Sequence, residues 1–566
     1  MKASILKGRN VLNLQVLIED RKPDRIRFSD SPTDILFWLS LKKDDITELS
    51  SRNASAMDKS VRRLNCNVLK YSTCLSDFKG GRANVFVDLI FEKRPTCVFG
   101  HIHSHGDVHK NAEIKVTFRP EKEPDLIRTY PSDIDSYGSI LAFWVYGNKS
   151  FITCFGNGNS STCRLNPQTN EHSASYTSSN SDFALAHYNF KYRLPPLVYN
   201  TIQVRHGCIL DTMPENYVSK IFLVKDLGVN YVVIHDHWFQ DFGDWRPDYP
   251  EDMHNLIEAA QKIGLKVLLY WSPCYNVPHD ERIDAKTFIS AWNREKTPKT
   301  IRILDPKYDD AKKLMRHSLL SLISRYPEVD GIYIDLFWMW PGKDMTGYSF
   351  LDWQLAAEDC VKIIRDWKSN ATILFDAIFA SPPVLFYEGI PLFVDDPRLG
   401  ILFGGGNTWM SIFTDPDFQP DKLDMGKIFN LRNKCMIYGS PPYIVDAMLN
   451  YPESYEYLRF LRDIPRDSIF YPPSAGIVHC SPGVKSATYV WNDHARIFLA
   501  NMESKAITAR VLLNLYQLRL EHVERAYTYS ILTNETIKSQ QMPLELSIKL
   551  NFKPYGYHVL EIQPKA

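Results

Sequence analysis

From residue 196 onward the chain alternates short apolar runs with longer stretches in which apolar residues return every three or four positions. The runs are Leu197-Val198-Tyr199-Asn200, Tyr231-Val232-Val233-Ile234, Lys266-Val267-Leu268-Leu269-Tyr270-Trp271, Gly331-Ile332-Tyr333-Ile334, Thr372-Ile373-Leu374-Phe375 and Pro391-Leu392-Phe393-Val394. They are short and nearly free of polar residues, which predicts strands covered on both faces. Between them Met253, Leu256, Ile257, Ala260 and Ile263 stand at helical spacing until Gly264 stops them. Leu314, Met315, Leu319, Leu322 and Ile323 do the same over 308–325, and a further helix is expected over 215–227, ended by Gly228. Strands that alternate with helices imply a parallel sheet, and the length of the run suits a (β/α)8 TIM barrel. A doubly wound open sheet is the alternative, but no glycine-rich phosphate fingerprint follows any of the runs.

On either side the texture is that of β structure. Ile35-Leu36-Phe37-Trp38-Leu39 and Ala83-Asn84-Val85-Phe86-Val87-Asp88-Leu89-Ile90-Phe91 carry the strand signal early in the chain. Residues 156–182 are rich in Gly, Asn, Ser and Thr and read as a loop or linker. After about 475, Ala487-Thr488-Tyr489-Val490-Trp491 and Ala495-Arg496-Ile497-Phe498-Leu499-Ala500 read as sandwich strands. The expected organisation is α/β: a β-sandwich-like N-terminal domain with its linker over 1–195, the barrel over 196–474, and a small C-terminal β-sandwich over 475–566.

Charge narrows the function. The 566 residues hold 66 Lys+Arg and 66 Asp+Glu with no long basic run, so neither nucleic acid nor a membrane surface is an expected partner. No apolar run has the length of a membrane span, and Met1-Lys2-Ala3-Ser4-Ile5-Leu6 opens no apolar segment of signal-peptide length, so a cytoplasmic location is expected. The 10 Cys show no CxxC pair or framework spacing and read as ordinary reduced residues. Aromatic residues make up 13% of the chain; their apolar rings suit sugar faces as well as large cores.

Four of the apolar runs end in an acid: Asp236, Asp335, Asp376 and Asp395. In a barrel the C-terminal ends of the strands form one mouth, where the chemistry of this fold collects. Two carboxylates flanking one bond are what glycoside cleavage requires, one ionised and one holding a proton, and crowding acids together raises one pKa. Trp238, Trp245, Trp271, Trp338 and Trp409 fall near the same strand ends, where they could stack on sugar rings. A helix-capping role for each Asp and a core role for each Trp are the plainer alternatives.

Several segments resemble glycoside hydrolase family 36, the α-galactosidases and raffinose-synthase-like proteins. They are His235-Asp236-His237-Trp238-Phe239, then Phe242-Gly243-Asp244-Trp245, then Leu304-Asp305-Pro306 with Asp330-Gly331-Ile332-Tyr333-Ile334-Asp335, then Val394-Asp395-Asp396 and Tyr438-Gly439-Ser440-Pro441-Pro442-Tyr443-Ile444-Val445-Asp446. They run in the family's order over about 195–450. The resemblance implies a retaining α-glycosidase with Asp335 as nucleophile and Asp395 as general acid/base, Asp396 being the other member of that pair. It places Asp236, Trp238, Asp244 and Trp245 at the sugar; Trp271 and Asp376 are further substrate-binding candidates from their strand-end positions alone. It implies an oligosaccharide or glycoside as partner and no organic cofactor. The chain departs from the family where His235 replaces an Asp, His237 a Gly and Tyr333 a Lys, and where Asp376-Ala377-Ile378-Phe379-Ala380-Ser381-Pro382 replaces a Cys- and Gly-rich segment. These positions hold sugar hydroxyls in the family, so another α-linked sugar, transfer to a sugar acceptor, or a barrel that only binds carbohydrate stay open as readings.

A second motif lies near the N-terminus. His101, His103, His105 and His109, with Ser132 and Asp135 further on, resemble the zinc site of JAMM-type isopeptidases, but the gap from His105 to Ser132 is longer than that motif has. The segment is read as a polar β-loop, and no metal site is expected.

Overall fold

The computed structural model describes residues between 3 and 565, apart from stretches that include 7–13, 52–58, 76–84, 106–111, 131–140, 202–214, 277–287, 293–300, 336–349, 378–389, 392–423 and 521–526 and shorter segments such as 236–237. The chain divides into two compact units, Met1–Lys191 with Trp340–Ala356, and Tyr192–Met339 with Ala357–Ala566.

The first unit is built on two eight-stranded antiparallel sheets. Their inner faces share one core, in which Phe37 of the first sheet meets Tyr71 and Phe91 of the second at ring-centroid distances of 5.1 and 6.3 Å. The stretch expected as a linker differs from that expectation: Ser161–Asn166 and Glu171–Thr177 pair as a hairpin that ends the first sheet. An edge hairpin is held by backbone pairing and needs only a modest apolar face, so its polar composition hides it from a pattern reading. Between the sheets Lys59 and Asp24 form an ion pair of 3.1 Å with no side-chain exposure. Asp24 also accepts from the Tyr71 hydroxyl at 2.6 Å and from the Glu19 N–H at 2.8 Å. Burial nevertheless raises its pKa, against these hydrogen bonds and the charge of Lys59.

The second unit carries the parallel sheet. Its strands are β1 (Val198–Asn200), β2 (Tyr231–Ile234), β3 (Lys266–Trp271), β4 (Gly331–Ile334), β5 (Thr372–Ala377) and β6 (Ile390–Pro391), in that spatial order and all parallel. A further parallel bridge joins Tyr199 of β1 to Ile444 on the side away from β2. The described strands thus form a curled parallel sheet, part of a ring; a closed eight-stranded barrel is not shown. In sequence, helices α1 (Glu215–Asp226), α2 (Pro250–Lys262), α3 (Asp309–Arg325), α4 (Phe350–Trp367, of which the residues from Ala357 on belong to this unit) and α5 (Met425–Ile437) alternate with the strands. On α2 the buried residues are Met253, Leu256, Ile257 and Ala260, the stripe its spacing predicts. On α3 the stripe is Ala311, Met315, Ser318, Leu319, Leu322 and Ile323, which adds a serine that hydrophobic patterning passes over. Gly331 is required where β4 passes its neighbour, because a Cβ there would stand 1.9 Å from the Thr372 carbonyl oxygen.

The C-terminal strands lie in the same unit. A six-stranded and a three-stranded sheet share a core that includes Ile497, Leu499, Val511, Leu513, Ile548 and Leu560. Arg432 of α5 ties this sandwich to the helix. Its guanidinium lies 4.9 Å from both the Phe429 and Tyr557 rings and donates to the carbonyls of Glu453 and Tyr555. Burial lowers its pKa.

Candidate active site

β4 sets the geometry. Its register puts Tyr270 of β3 beside Tyr333 and Trp271 beside Ile334, with Leu374 and Phe375 of β5 on the other side. Asp335 follows directly, anchored by its N–H on the Trp271 carbonyl at 2.8 Å. Its side chain is enclosed, with 6% of the residue exposed. Among the described residues, none donates a hydrogen bond to its carboxylate. Asp330, which precedes the other end of β4, is the opposite case. Its carboxylate accepts from the Val267 N–H at 2.9 Å and the Gln261 amide at 3.0 Å, which locks β3 and α2 onto the strand.

Asp376 belongs to β5 at the position after Phe375, so the register carries it to the level of Asp335 on the adjacent strand. Two acids therefore stand next to each other in the backbone frame at the C-terminal ends of β4 and β5. Asp236, Asp395 and Asp396 lie outside the described residues, as do Trp338 and Trp409.

The tryptophans behave as core. Trp238, Trp245 and Trp271 have no exposed surface. The indole N–H groups of Trp245 and Trp271 both donate to the Ser318 hydroxyl of α3, at 2.8 and 3.1 Å. Trp271 points to the helices because it pairs with Ile334, one residue out of phase with Asp335. Trp238 packs edge-on to Tyr326 at 5.5 Å, and neither its indole nitrogen nor the Tyr326 hydroxyl has a partner among the described residues. Asp244 opens the second strand of a small hairpin, Phe239–Asp241 with Asp244–Pro247, and its carboxylate is held by the guanidinium of Arg246 in the same strand. Gly243 in the turn has φ +86°, and a Cβ there would meet the Tyr275 ring at 2.3 Å, so only glycine lets that ring close over the hairpin.

At this strand-end level the structure gathers His235 and Tyr333, which the sequence marks only as departures from the resembled family, with Tyr270, which it does not mark at all. Tyr270 and Tyr333 share a face of the sheet with Asp335, and His235 joins them with ring centroids 4.8 Å from Tyr270 and 5.4 Å from Tyr333. Buried Thr201 receives the His235 backbone N–H at 3.1 Å. Alternation along β4 was the available signal for Tyr333. Tyr270 needed the β3–β4 register, which no local pattern carries.

The histidine-rich strand belongs to the first unit. His105 Nε2 lies 3.0 Å from Asp88, whose carboxylate also holds Lys70 and Ser72, each at 2.6 Å. His109, Ser132 and Asp135 lie outside the described residues. Among the described residues no three His, Cys, Asp or Glu side chains gather as a metal site, and no helix is long and apolar enough to cross a membrane.

With this geometry in place, known structures provide the comparison. A family-36 α-galactosidase from Geobacillus stearothermophilus, solved with 1-deoxygalactonojirimycin, aligns over 100% of both chains at 12% identity with a TM-score of 0.52. The likeness is one of fold. The galactosidase domain of an α-galactosidase–sucrose kinase aligns over 98% of this chain and 88% of its own at 11% identity (TM-score 0.48). An α-amylase from Geobacillus thermoleovorans, complexed with acarbose, aligns over 67% of this chain and 100% of its own at 14% identity (TM-score 0.46). No protein family model matches the sequence, and no curated protein does.

Proposed function

We propose that the chain is a retaining glycosidase for α-linked sugars, of the α-galactosidase-like kind, working from the mouth of a complete (β/α)8 barrel. The observation that carries this reading is Asp335, an enclosed carboxylate at a strand end to which no described residue donates. A carboxylate at a strand end with no donor among the described residues is left open to a substrate. Its strand-end position in a fold like that of a family-36 α-galactosidase supports the same role.

In this mechanism Asp335 attacks the anomeric carbon while Asp395, or Asp396 beside it, gives its proton to the departing oxygen. The glycosyl-enzyme is then hydrolysed by a water that the same second acid deprotonates, and the anomeric configuration is retained. The two carboxyls would stand about 5–5.5 Å apart. Asp376, one strand over, helps to hold the sugar hydroxyls, with Asp236 and Asp244 at the rim. Trp238, Trp245 and Trp271 shape the pocket from behind it.

A panel of aryl α- and β-glycosides tests the reading with wild type, Asp335→Asn and Asp395→Asn. Hydrolysis of an α-glycoside that is lost in Asp335→Asn and returns with azide as the β-glycosyl azide supports it. Unchanged hydrolysis in Asp335→Asn would sink the nucleophile assignment.

A further inference from the structure

The first unit holds a charged pair that takes no part in the proposed glycoside chemistry. Lys59 opens the edge strand Lys59–Arg63 of the second sheet, and Asp24, 35 positions away, opens the strand Asp24–Phe28 of the first. Their side chains meet at 3.1 Å with no exposure on either. The Lys59 Nζ also donates to the carbonyls of Glu19 at 2.9 Å and Lys22 at 3.2 Å. Two of its protons are therefore directed at the backbone and the third at Asp24. On the carboxyl, the Glu19 N–H donates to Oδ1 at 2.8 Å and the Tyr71 hydroxyl to Oδ2 at 2.6 Å. Burial raises the Asp24 pKa, which favours the arrangement in which the third proton has crossed to the carboxyl. The lone pair of the amine then faces the carboxyl group. The Lys70–Asp88 pair of the second sheet is closer, at 2.6 Å, but its side chains are 29% and 10% exposed.

We propose that Lys59 and Asp24 condense to an amide, a side-chain cross-link that ties the two sheets of the first unit together. The bond between Nζ and Cγ forms and the bond between Cγ and Oδ2 breaks. The ammonium gives up two of its three protons, and these leave with Oδ2 as one water molecule. A cation and an anion become a neutral amide, so charge balances and no further reactant is needed. The Glu19 N–H stands at Oδ1, where negative charge gathers in the tetrahedral intermediate. The Tyr71 hydroxyl stands at the departing oxygen, to which it donates. In water this condensation fails, because the amine is protonated and solvent reverses the reaction. Enclosure removes both obstacles, and fixed contact between the reacting groups is equivalent to a concentration of about 10⁵–10⁸ M. The product also removes two buried charges, whose desolvation the ion pair has to offset. The cross-link does not depend on the glycosidase reading.

Intact mass spectrometry of the purified full chain, shown to be folded by a cooperative melting transition and then denatured, tests the proposal. The chain should be lighter than its sequence by one water molecule. A peptide digest should contain one branched species that joins the segment carrying Asp24 to the segment carrying Lys59. Lys59→Arg should return the chain to its full mass. Lys70→Arg should keep the loss, because the exposed Lys70–Asp88 pair stays an ion pair. The wild-type digest decides the matter even if Lys59→Arg does not fold. Wild-type chain at its full mass, including after prolonged incubation in the folded state, overturns the proposal. So does a missing water that maps to a linear peptide, as a cyclised aspartyl residue would give, or a branch that joins any other pair.

Discussion

The acids at the two ends of β4 are five positions apart and do opposite things. Asp330 is half-buried and its carboxylate receives two hydrogen bonds that fasten β3 and α2. Asp335 is more enclosed and receives none from any described residue. An acid tied by hydrogen bonds from two neighbouring elements is part of the scaffold; one without such donors is open to another role. The ion pair of Asp24 with Lys59 extends the contrast to the first unit, where a fully enclosed carboxylate is surrounded by three donors. Under the proposed function, the hydrogen-bond donors around a carboxylate are what distinguish the structural acid Asp330 from the proposed nucleophile Asp335.

The strongest way to break this contrast is Asp335→Asn. Activity should fall by about 10³-fold or more in kcat. The unfolding free energy should move by less than about 1 kcal/mol, because no hydrogen bond from a described residue is lost. A large loss of stability would move Asp335 into the scaffold class. Lys59→Met should do the reverse and destabilise the first unit by about 3–5 kcal/mol, since it leaves Asp24 buried without its cation. Adding Asp24→Asn should recover part of that loss, and denaturant unfolding of the full chain reads both. Asp330→Ala should cost about 1–3 kcal/mol by stranding the Val267 N–H. Its kcat per folded molecule should stay at the wild-type level, and a fall in kcat would erase the distinction between the two ends of β4.

The smallest effect concerns pH. Burial pushes the Asp88 carboxyl up, but the hydrogen bonds from Lys70, Ser72 and His105 outweigh it and leave the pKa below 3.8. A lowered carboxylate pKa contributes stability above the unfolded value, and that contribution is lost as pH falls through the folded one. Asp88→Asn should therefore lower stability at neutral pH and make the fall in stability below pH 3.8 shallower. An unchanged acid limb would mean that the Asp88 cluster contributes nothing to it.

What could be read from the sequence follows the range of each signal. The helical stripes of α2 and α3 and the first five apolar strand runs are local, period-based patterns, and the structure carries strands and helices there, while Leu392–Val394 of the sixth run lie outside the described residues. Asp335 was visible because it ends an apolar run. The Asp24–Lys59 pair was not, because its members lie in different sheets and nothing local marks either residue. The side of the sheet that Trp271 faces was hidden for the same reason. It depends on pairing with Ile334, so an indole near a strand end could not be assigned to sugar or to core from its residue type. Ser318 looked like an interruption in an apolar stripe, yet it receives two indole N–H groups.

The central claim is that Asp335 becomes covalently attached to the sugar. A mechanism-based fluoroglycoside that slows release of the glycosyl-enzyme, followed by peptide mass spectrometry, tests it most directly. The account predicts one added sugar per chain, on the peptide carrying Asp335, and no labelling of Asp335→Asn. Labelling at Asp376, Asp395 or Asp396, or turnover of the substrate with no label on Asp335, would contradict it.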